Sequence, residues 1–500
     1  MGKIEELKSY VAEIVDIQHV VGLLEWDQST YMPPGGSPAR AEQTTTLQKI
    51  AHARTVSPEA GELLQAAEAE AAGLPNDSDE TAMIRQVRRF YDHAVKIPAD
   101  LVARIARANA LAFDKWVEAR SRSDFSLFSP YLEEIVALQI EQAQALGYQE
   151  HPYDALLDLY EPEMKTRQVR EIFATLREGL VPIVHAILGS SKQPRTDFLE
   201  QTYDVAKQET FSLDLLKGIG YDFQRGRQDK VAHPFTQGLS IGDVRVTNRF
   251  LPEMPASSIF SAIHEGGHAL YGQGINPRFE RTALENGAST AIHESQSRMW
   301  ENAVGRSLAF WTHWYPRFQA LFPEQLKGIS LEQFWRAINA VKASAIRVEA
   351  DEVTYNLHVL LRFEIETGLI EGSLKVKDLP EIWNARMMEY IGYQPKNDAE
   401  GVLQDVHWSL GYFGYFPTYA LGTLLSLQFF NVAKGELPDL DEQFAAGDCS
   451  GLSGWLKERI WQYGGKYTPV ELTQRVTGGP IDPGPFLRYL KEKYGALYEI

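Results

Sequence analysis

Five consecutive residues near the middle of the chain have the types and spacing of a hydrolytic metal site. The segment His264-Glu265-Gly266-Gly267-His268 is an H-E-x-x-H motif inside an apolar stretch of helical periodicity. Because residues four apart lie on one face of a helix, both imidazoles can bind the same ion. A bound metal would acidify water, and Glu265 would take its proton and pass it to the leaving amine. The motif predicts a metal-dependent hydrolase.

A catalytic zinc site needs a third protein ligand, and the residues alone leave three candidates. A second helix, capped by Ser289 or Thr290, carries His293 and Glu294 next to each other. Adjacent side chains point about 100° apart around a helix, so only one of these two can face the ion. The third candidate is Glu285, which lies in a predicted loop.

The elements that must position these residues are mainly α-helices. Ser257 or Ser258 is the predicted cap of the motif helix, and alternating apolar and polar residues predict a β-hairpin within residues 231–251. Gly266 and Gly267 each cost a helix about 1 kcal/mol relative to alanine, which indicates close approach of another element or of a substrate. Helical spacing of apolar residues is clearest at 101–116, 131–146, 169–188 and 331–343.

Chain length bounds the domain organisation. At 500 residues the chain exceeds the size at which one hydrophobic core usually stops growing. We expect a single peptidase domain over residues 1–500, with two helical lobes that flank a groove or with two to three subdomains. The catalytic core is expected at residues 231–420.

Composition excludes several classes of partner. The net charge is −18, which repels nucleic acid and anionic membrane surfaces. The single cysteine, Cys449, cannot form an internal disulfide, and the charged start of the chain has no apolar signal-peptide core, so we expect a cytoplasmic protein. The longest apolar tract, residues 412–430, contains one proline, two glycines and three tyrosines, which favour a buried wall over a membrane span.

The chain resembles the family of thermostable carboxypeptidases named after the Taq enzyme over nearly its whole length. Six signatures, which are more specific together than any one motif, carry this resemblance in order. They are His233-Pro234-Phe235, Asp243-Val244-Arg245-Val246-Thr247, the H-E-x-x-H motif, His293-Glu294-Ser295-Gln296, Ile346-Arg347-Val348-Glu349-Ala350-Asp351, and Gly401-Val402-Leu403-Gln404-Asp405-Val406-His407-Trp408.

The resemblance implies a mainly α fold with a long active-site groove and a small sheet beside the motif helix, similar to neurolysin and angiotensin-converting enzyme. It implies a homodimer that uses zinc, or alternatively cobalt, and that removes single residues from free C-termini with broad specificity. It favours Glu294 as the third ligand and leaves His293 a supporting or core residue. The alternatives are an oligoendopeptidase with the same metal site and a silent peptide-binding scaffold.

Further roles follow from the chemistry that such an enzyme needs. Arg347 is expected to bind the terminal carboxylate through a bidentate pair, and the alternative is a buried ion pair with Glu349 or Asp351. Donors to the oxyanion are expected in the tract that contains His407, Tyr415 and Tyr419, although such aromatic tracts are mostly core.

The remaining assignments concern substrate binding. By analogy with related folds, a strand beside the motif helix pairs with the substrate backbone, and Asp243, Arg245 and Thr247 lie in the corresponding segment. A local ion pair that holds the hairpin is an equally good explanation for Asp243 and Arg245. His233 and Gln404 are also assigned to substrate binding, with a structural hydrogen bond as the alternative for His233.

Overall fold

The computed structural model describes residues 2–500 and confirms a mainly α chain. The helices are α1 (Lys3–Thr30), α2 (Ser37–Thr55), α3 (Pro58–Ala71), α4 (Asp79–Lys96), α5 (Ala99–Arg122), α6 (Ser129–Leu146), α7 (Pro152–Leu157), α8 (Thr166–Gly189), α9 (Val205–Ile219), α10 (Pro255–Gly274), α11 (Thr290–Arg298), α12 (Leu308–Leu321), α13 (Leu331–Ile338), α14 (Tyr355–Ile370), α15 (Leu379–Ile391), α16 (Pro417–Glu436), α17 (Leu440–Ala445), α18 (Ser450–Arg459), α19 (Pro469–Thr477) and α20 (Gly484–Tyr498). The strands are β1 (Gln228–Lys230), β2 (Thr236–Ser240) and β3 (Asp243–Asn248).

The three strands form one small sheet in the order β1-β3-β2. Strands β2 and β3 are antiparallel and form the hairpin predicted from the alternating pattern, with an irregularity between Gly238 and Ser240. Strand β1 pairs with β3 in parallel. Its three residues are too few to show an alternating pattern, so the sequence did not predict it.

The motif helix, α10, packs between two other helices through its paired glycines. A Cβ atom on Gly266 would lie 2.7 Å from the side chain of Ile219 on α9, and one on Gly267 would lie 2.7 Å from the Cα atom of Ser297 on α11. Close approach of other elements therefore accounts for both glycines. The helix begins at Pro255, so the prediction of a serine cap at Ser257 or Ser258 is wrong. Proline is favoured at the first helical position because it lacks the N–H that has no partner there.

The chain divides into two compact units. The first unit comprises Met1–Val95, Arg195–Ile338 and Phe429–Pro480, and the second comprises Lys96–Pro194, Asn339–Gln428 and Ile481–Ile500. The expected catalytic core, 231–420, includes parts of both units. The first unit contains the sheet, α10 and α11, and its core includes aromatic rings of α9, α12 and α13, such as the Trp311–Phe334 pair with centroids 4.6 Å apart.

The second unit is built around α14, in which every residue except Glu364 is buried. The apolar tract 412–430 is also largely buried and forms much of α16, as the sequence predicted. By length and composition alone, helix α8 could cross a membrane. One such helix is weak evidence for a membrane span, because a helix in the core of a protein can meet the same two criteria. Helix α13 ends at Ile338 rather than near residue 343, and the following Lys342 donates its main-chain N–H to the Asp351 carboxylate at 3.1 Å.

Candidate metal centre and active site

His264, His268 and Glu294 converge in the first unit. The Nε2 atoms of His264 and His268 lie 3.6 Å and 3.4 Å from Oε2 of Glu294. One ligand atom from each residue lies within 4.8 Å of the other two. Two ligands bound to zinc at about 2.1 Å and at the tetrahedral angle are about 3.4 Å apart. The donor types and their separations therefore fit a zinc-type ion.

Helix α11 presents Glu294, and Ser289 caps this helix by accepting a hydrogen bond from the N–H of Ile292 at 3.1 Å. Arg298, one turn further along, donates from Nε to Oε1 of Glu294 at 2.7 Å. Burial would raise the pKa of the Glu294 carboxyl, but the nearby charges of Arg298 and His264 outweigh it and hold this pKa well below its ordinary value. Glu294 is therefore ionised, as a ligand must be.

Glu301 supports the first histidine. Its Oε2 atom lies 2.9 Å from Nδ1 of His264 and accepts a hydrogen bond from Arg298 at 3.1 Å. Burial would raise the pKa of Glu301, but the charge of Arg298 and the hydrogen bond from His264 outweigh it and lower this pKa to about 2. Glu301 was not predicted, although it follows Glu294 by seven residues, a spacing that places two side chains on one face of a regular helix. The residues Met299–Val304 that contain it form a π-helical turn.

The second histidine has a different partner. Nδ1 of His268 lies 2.7 Å from Nδ1 of His293. Burial and the adjacent His268 lower the pKa of His293 to about 3, so it is a neutral imidazole that can accept this hydrogen bond. His293 therefore contacts His268 and is not part of the cluster of three residues that could hold an ion, and such partners orient ligand rings.

Glu265 has a partner that the sequence did not reveal. Thr236, on β2, shares its hydroxyl hydrogen between Oε2 of Glu265 at 2.7 Å and the main-chain oxygen of the same residue at 2.9 Å. Glu265 is 7% exposed. The hydroxyl fixes one carboxylate oxygen and leaves the other for a substrate or water. Only the pairing of β2 with α10 brings these residues together, so no local spacing could indicate the contact.

The residues predicted to bind substrate on β3 have local partners. Arg245 forms a bidentate pair with Asp243, with N–O distances of 2.9 and 2.7 Å, and its guanidinium lies 4.3 Å from the ring centroid of Trp26. Thr247 is buried and exchanges hydrogen bonds with the main chain of Phe235, both at 2.8 Å. Because β3 pairs on both sides, its main chain is not available to a peptide, and the edge strands among the described residues are β1 and β2. His233 is exposed.

Arg347 lies in the second unit and is 5% exposed. It donates from Nε and Nη2 to Oδ1 of Asp405, at 3.1 and 2.8 Å, and from Nη1 to the hydroxyl of Tyr355 at 3.0 Å. Arg362 binds the other oxygen of Asp405. The alternative drawn from the sequence was a buried ion pair of Arg347 with Glu349 or Asp351. Arg347 does form a buried ion pair, but its partner is Asp405, which lies 58 residues further along the chain.

The other predicted residues of the second unit surround this pair. Gln404 accepts the main-chain N–H of Arg347 at 2.8 Å and donates to the oxygen of Ala345 at 2.9 Å, so its amide is engaged within the protein. Nε2 of His407 lies 3.4 Å from the Tyr419 hydroxyl. Burial lowers the pKa of His407 to about 4 although Asp405 is nearby. The centroids of the Tyr415 and His407 rings lie 5.7 Å apart.

Two histidines and a glutamate that could hold one ion, with a second carboxylate, Glu265, on the helix of the two histidines, form the arrangement typical of a metal-dependent hydrolase. Comparison with known proteins specifies it further. The model of the family "Carboxypeptidase Taq (M32) metallopeptidase" matches residues 6–494. The chain is 43% identical to thermostable carboxypeptidase 1 of Thermus thermophilus over 99% of its own length and 98% of that protein. It is 39% identical to carboxypeptidase 1 of Bacillus subtilis over 99% of each.

Solved structures agree with these relatives. The M32 carboxypeptidase of Deinococcus radiodurans superposes with a TM-score of 0.97 at 39% identity and 100% coverage of both chains. Trypanosoma cruzi metallocarboxypeptidase 1 gives a TM-score of 0.93 at 34% identity, with 98% of this chain and 99% of that chain covered. The chain belongs to the carboxypeptidase Taq (M32) family and is a metal-dependent carboxypeptidase that acts on peptides.

Proposed function

We propose that this carboxypeptidase binds zinc through His264, His268 and Glu294 and removes single residues from free C-termini, with Glu265 as the proton carrier. The observation that carries the proposal is the convergence of the three ligand atoms beside a carboxylate that Thr236 holds in place. Cobalt is the alternative ion, because the same donors suit it. Broad side-chain specificity follows from the family resemblance.

The roles of the protein side chains follow from this arrangement. Zinc, when bound, would polarise the scissile carbonyl and acidify the attacking water. Glu265 accepts the proton of that water at its free carboxylate oxygen and delivers it to the leaving amine. Glu301 and His293 fix the orientations of His264 and His268, and Arg298 keeps Glu294 ionised.

Recognition of the terminal carboxylate is assigned to Arg347. A guanidinium has five N–H groups, and three of those of Arg347 donate to Asp405 and Tyr355. Arg347 and Arg362 carry two positive charges against the single negative charge of Asp405, and this excess supports the binding of an anion. The same residues also explain why Arg347 stays charged and fixed when buried.

Other contacts to the substrate complete the proposal. His407, Tyr415 and Tyr419 supply donors to the oxyanion, and Gln404 contributes by holding the main chain of Arg347. Substrate contacts of Asp243, Arg245, Thr247 and His233 stay predictions. We further propose a cytoplasmic homodimer: the single cysteine favours the reducing compartment, and the dimer follows from the family resemblance.

The test compares a free-acid peptide with its C-terminal amide, using zinc-loaded enzyme and mass spectrometry to identify the shortened end. We expect stepwise loss of C-terminal residues and a much faster reaction with the acid, since the amide lacks the charge and one acceptor oxygen. Arg347→Ala should lose this preference while retaining its metal. Equal wild-type rates on both peptides, or cleavage at internal bonds, would favour the oligoendopeptidase instead.

A further inference from the structure

A cavity of about 190 Å³ lies beside the candidate metal centre and has no role in the proposed mechanism. Its walls include β2, the C-terminal half of α10 and the loop 285–287, together with single residues of α1, β3 and α11, all of which belong to the first unit. His268 lines the cavity and also contributes to the ligand set, so the cavity adjoins the position where a peptide bond would be cut. A water molecule takes about 30 Å³ of liquid volume, so the space suits one side chain.

Strand β2 can align a peptide along this cavity. It pairs only with β3 among the described strands, which leaves its other edge without a strand partner. An unpaired edge can accept an extended peptide through main-chain hydrogen bonds, and alternate side chains of that peptide then enter pockets on either side of the sheet. Thr236, Gly238 and Ser240 all line the cavity, so a peptide on this edge would place a side chain in it.

Gly238 leaves the cavity open. Residues two apart in a strand face the same side, so Gly238 faces the side on which Thr236 contacts Glu265. A Cβ atom at Gly238 would meet no other atom within 4 Å. Its φ angle lies outside the left-handed region, so the backbone does not require glycine there. A glycine within a strand often marks a place where a ligand approaches closely.

The charges of the lining identify which substrate residue fits. No arginine or lysine lines the cavity. Its one carboxylate, Glu285, pairs at 2.6 Å with His19, which also lines the cavity, and accepts the main-chain N–H of Arg281 at 2.7 Å, so His19 already has an anionic partner. The residue released by a carboxypeptidase carries the terminal carboxylate, which needs a cationic partner. The residue upstream of the cleaved bond is flanked by neutral amides. The cavity therefore suits the upstream residue.

We propose that this cavity is the subsite for the side chain of the penultimate substrate residue, that it takes uncharged side chains, and that Gly238 sets the upper limit on their size. The proposal rests on the proposed function, since it places the substrate at the candidate metal centre. Ile241, Val244 and Ile275 give one part of the lining an apolar character, which disfavours a charged side chain without a partner.

The experiment measures kcat/KM on peptides that share one C-terminal residue and differ at the penultimate position, with glycine, alanine, leucine, asparagine, aspartate or tryptophan. A second series varies the terminal residue and keeps the penultimate one. In Gly238→Leu, kcat/KM for penultimate leucine should fall roughly tenfold or more relative to penultimate glycine. The wild-type enzyme should cleave penultimate aspartate more slowly than asparagine and penultimate tryptophan more slowly than leucine.

Gly435→Leu is the matched control, because Gly435 is exposed near the end of α16 and a Cβ there meets nothing within 4 Å. It should leave both series unchanged. Gly238→Ala should shift the same ratio in the same direction by a smaller factor, and it carries the test if circular dichroism shows that Gly238→Leu does not fold.

Three results would overturn the proposal. A ratio unchanged by both Gly238 variants would reject the subsite alone, since C-terminal trimming would still be observed. Altered discrimination in the terminal series, with none in the penultimate series, would assign the cavity to the released residue. A zinc-loaded wild-type enzyme that trims no C-terminus would reject the proposed function and, with it, a subsite defined by the bond that is cut.

Discussion

Glu294 in the first unit and Glu366 in the second are both buried carboxylates that accept several hydrogen bonds, yet their pKa values move in opposite directions. Burial raises the pKa of each. At Glu294 the charges of Arg298 and His264 overcome this effect, and the pKa lies well below its ordinary value. At Glu366 burial prevails, and the pKa rises to about 7.

The partners of Glu366 explain the difference. It accepts hydrogen bonds from the Tyr153 hydroxyl at 2.6 Å, the Trp408 indole at 2.8 Å and the Gly414 N–H at 3.1 Å, all of which are neutral donors. Neutral hydrogen bonds lower the pKa, but they do not offset full burial here. A cation that donates directly to the carboxylate, as Arg298 does to Glu294, keeps it charged, whereas the charge of Arg362 lowers the pKa of Glu366 without offsetting burial. The first unit thus keeps anions available for a metal, whereas Glu366 joins neighbouring segments.

The largest effect is expected from removing the charge of Glu265, and it tests whether this carboxylate of the first unit carries the proton during hydrolysis. Glu265→Gln retains the shape of the side chain and removes the base, so kcat should fall about a thousandfold or more while metal content stays near wild type. Steady-state kinetics and elemental analysis measure the two quantities. His264→Ala, as the contrasting variant, should lose metal and activity together. Loss of metal from Glu265→Gln would reject its assignment as a proton carrier.

The next test asks whether the charge at Glu294 is what binds the ion. Glu294→Gln keeps the size of the side chain but removes its charge, so it should bind zinc far more weakly. His293→Ala, which removes only a partner of His268, should weaken zinc binding about 10- to 100-fold. Glu366→Gln, the same change in the second unit, should leave zinc binding unaltered. If His293→Ala loses the metal and Glu294→Gln keeps it, the third ligand is wrongly assigned.

A smaller effect is expected from replacing Arg298, the cation that donates to Glu294 and that has no equivalent among the hydrogen-bond donors to Glu366. Arg298→Met removes the hydrogen bonds to Glu294 and Glu301, and zinc affinity should fall about 10- to 100-fold. Arg298→Lys keeps the charge without the planar fork, so it should recover part of the loss. Competition with a chelator measures both affinities. Wild-type affinity in Arg298→Met would mean that the two histidines and the remaining hydrogen bonds suffice to keep Glu294 ionised despite its burial.

The sequence predicted those parts of the site that depend on local spacing. The i, i+4 spacing of His264 and His268 and the cap at Ser289 are local, and the structure contains both. Glu294 needed the family resemblance, because spacing alone did not separate it from His293. Thr236 could not be predicted, because its contact with Glu265 depends on how β2 packs on α10.

Long-range partners limited the prediction in the second unit as well. The spacing of Arg347 suggested local carboxylates, but its partner, Asp405, is 58 residues away. The mainly α class and the hairpin followed from periodicity over many residues. The start of α10 was misplaced, because proline at the first helical position replaced the expected serine cap. Local patterns therefore gave the class of the fold and the metal-binding motif, and packing gave the supporting residues.

The smallest expected effect concerns Glu366 itself, and it tests the other half of the comparison. The pKa of this carboxyl rises from 4.5 to about 7 on folding, so the folded state binds more protons than the unfolded state between these values. Stability from this group is fully present below about pH 4.5 and is lost as the pH rises through 7. Glu366→Gln has no proton to lose, so its free energy of unfolding should fall less over this range, by on the order of 1 to 3 kcal/mol. Urea unfolding followed by tryptophan fluorescence at pH 4.5, 6 and 8 measures the difference from wild type. The control is Glu381→Gln, which changes an exposed glutamate and should follow the wild-type curve. A wild-type curve parallel to that of Glu366→Gln would show that the neutral donors already keep Glu366 ionised, and the contrast with Glu294 would then be one of degree rather than of charge.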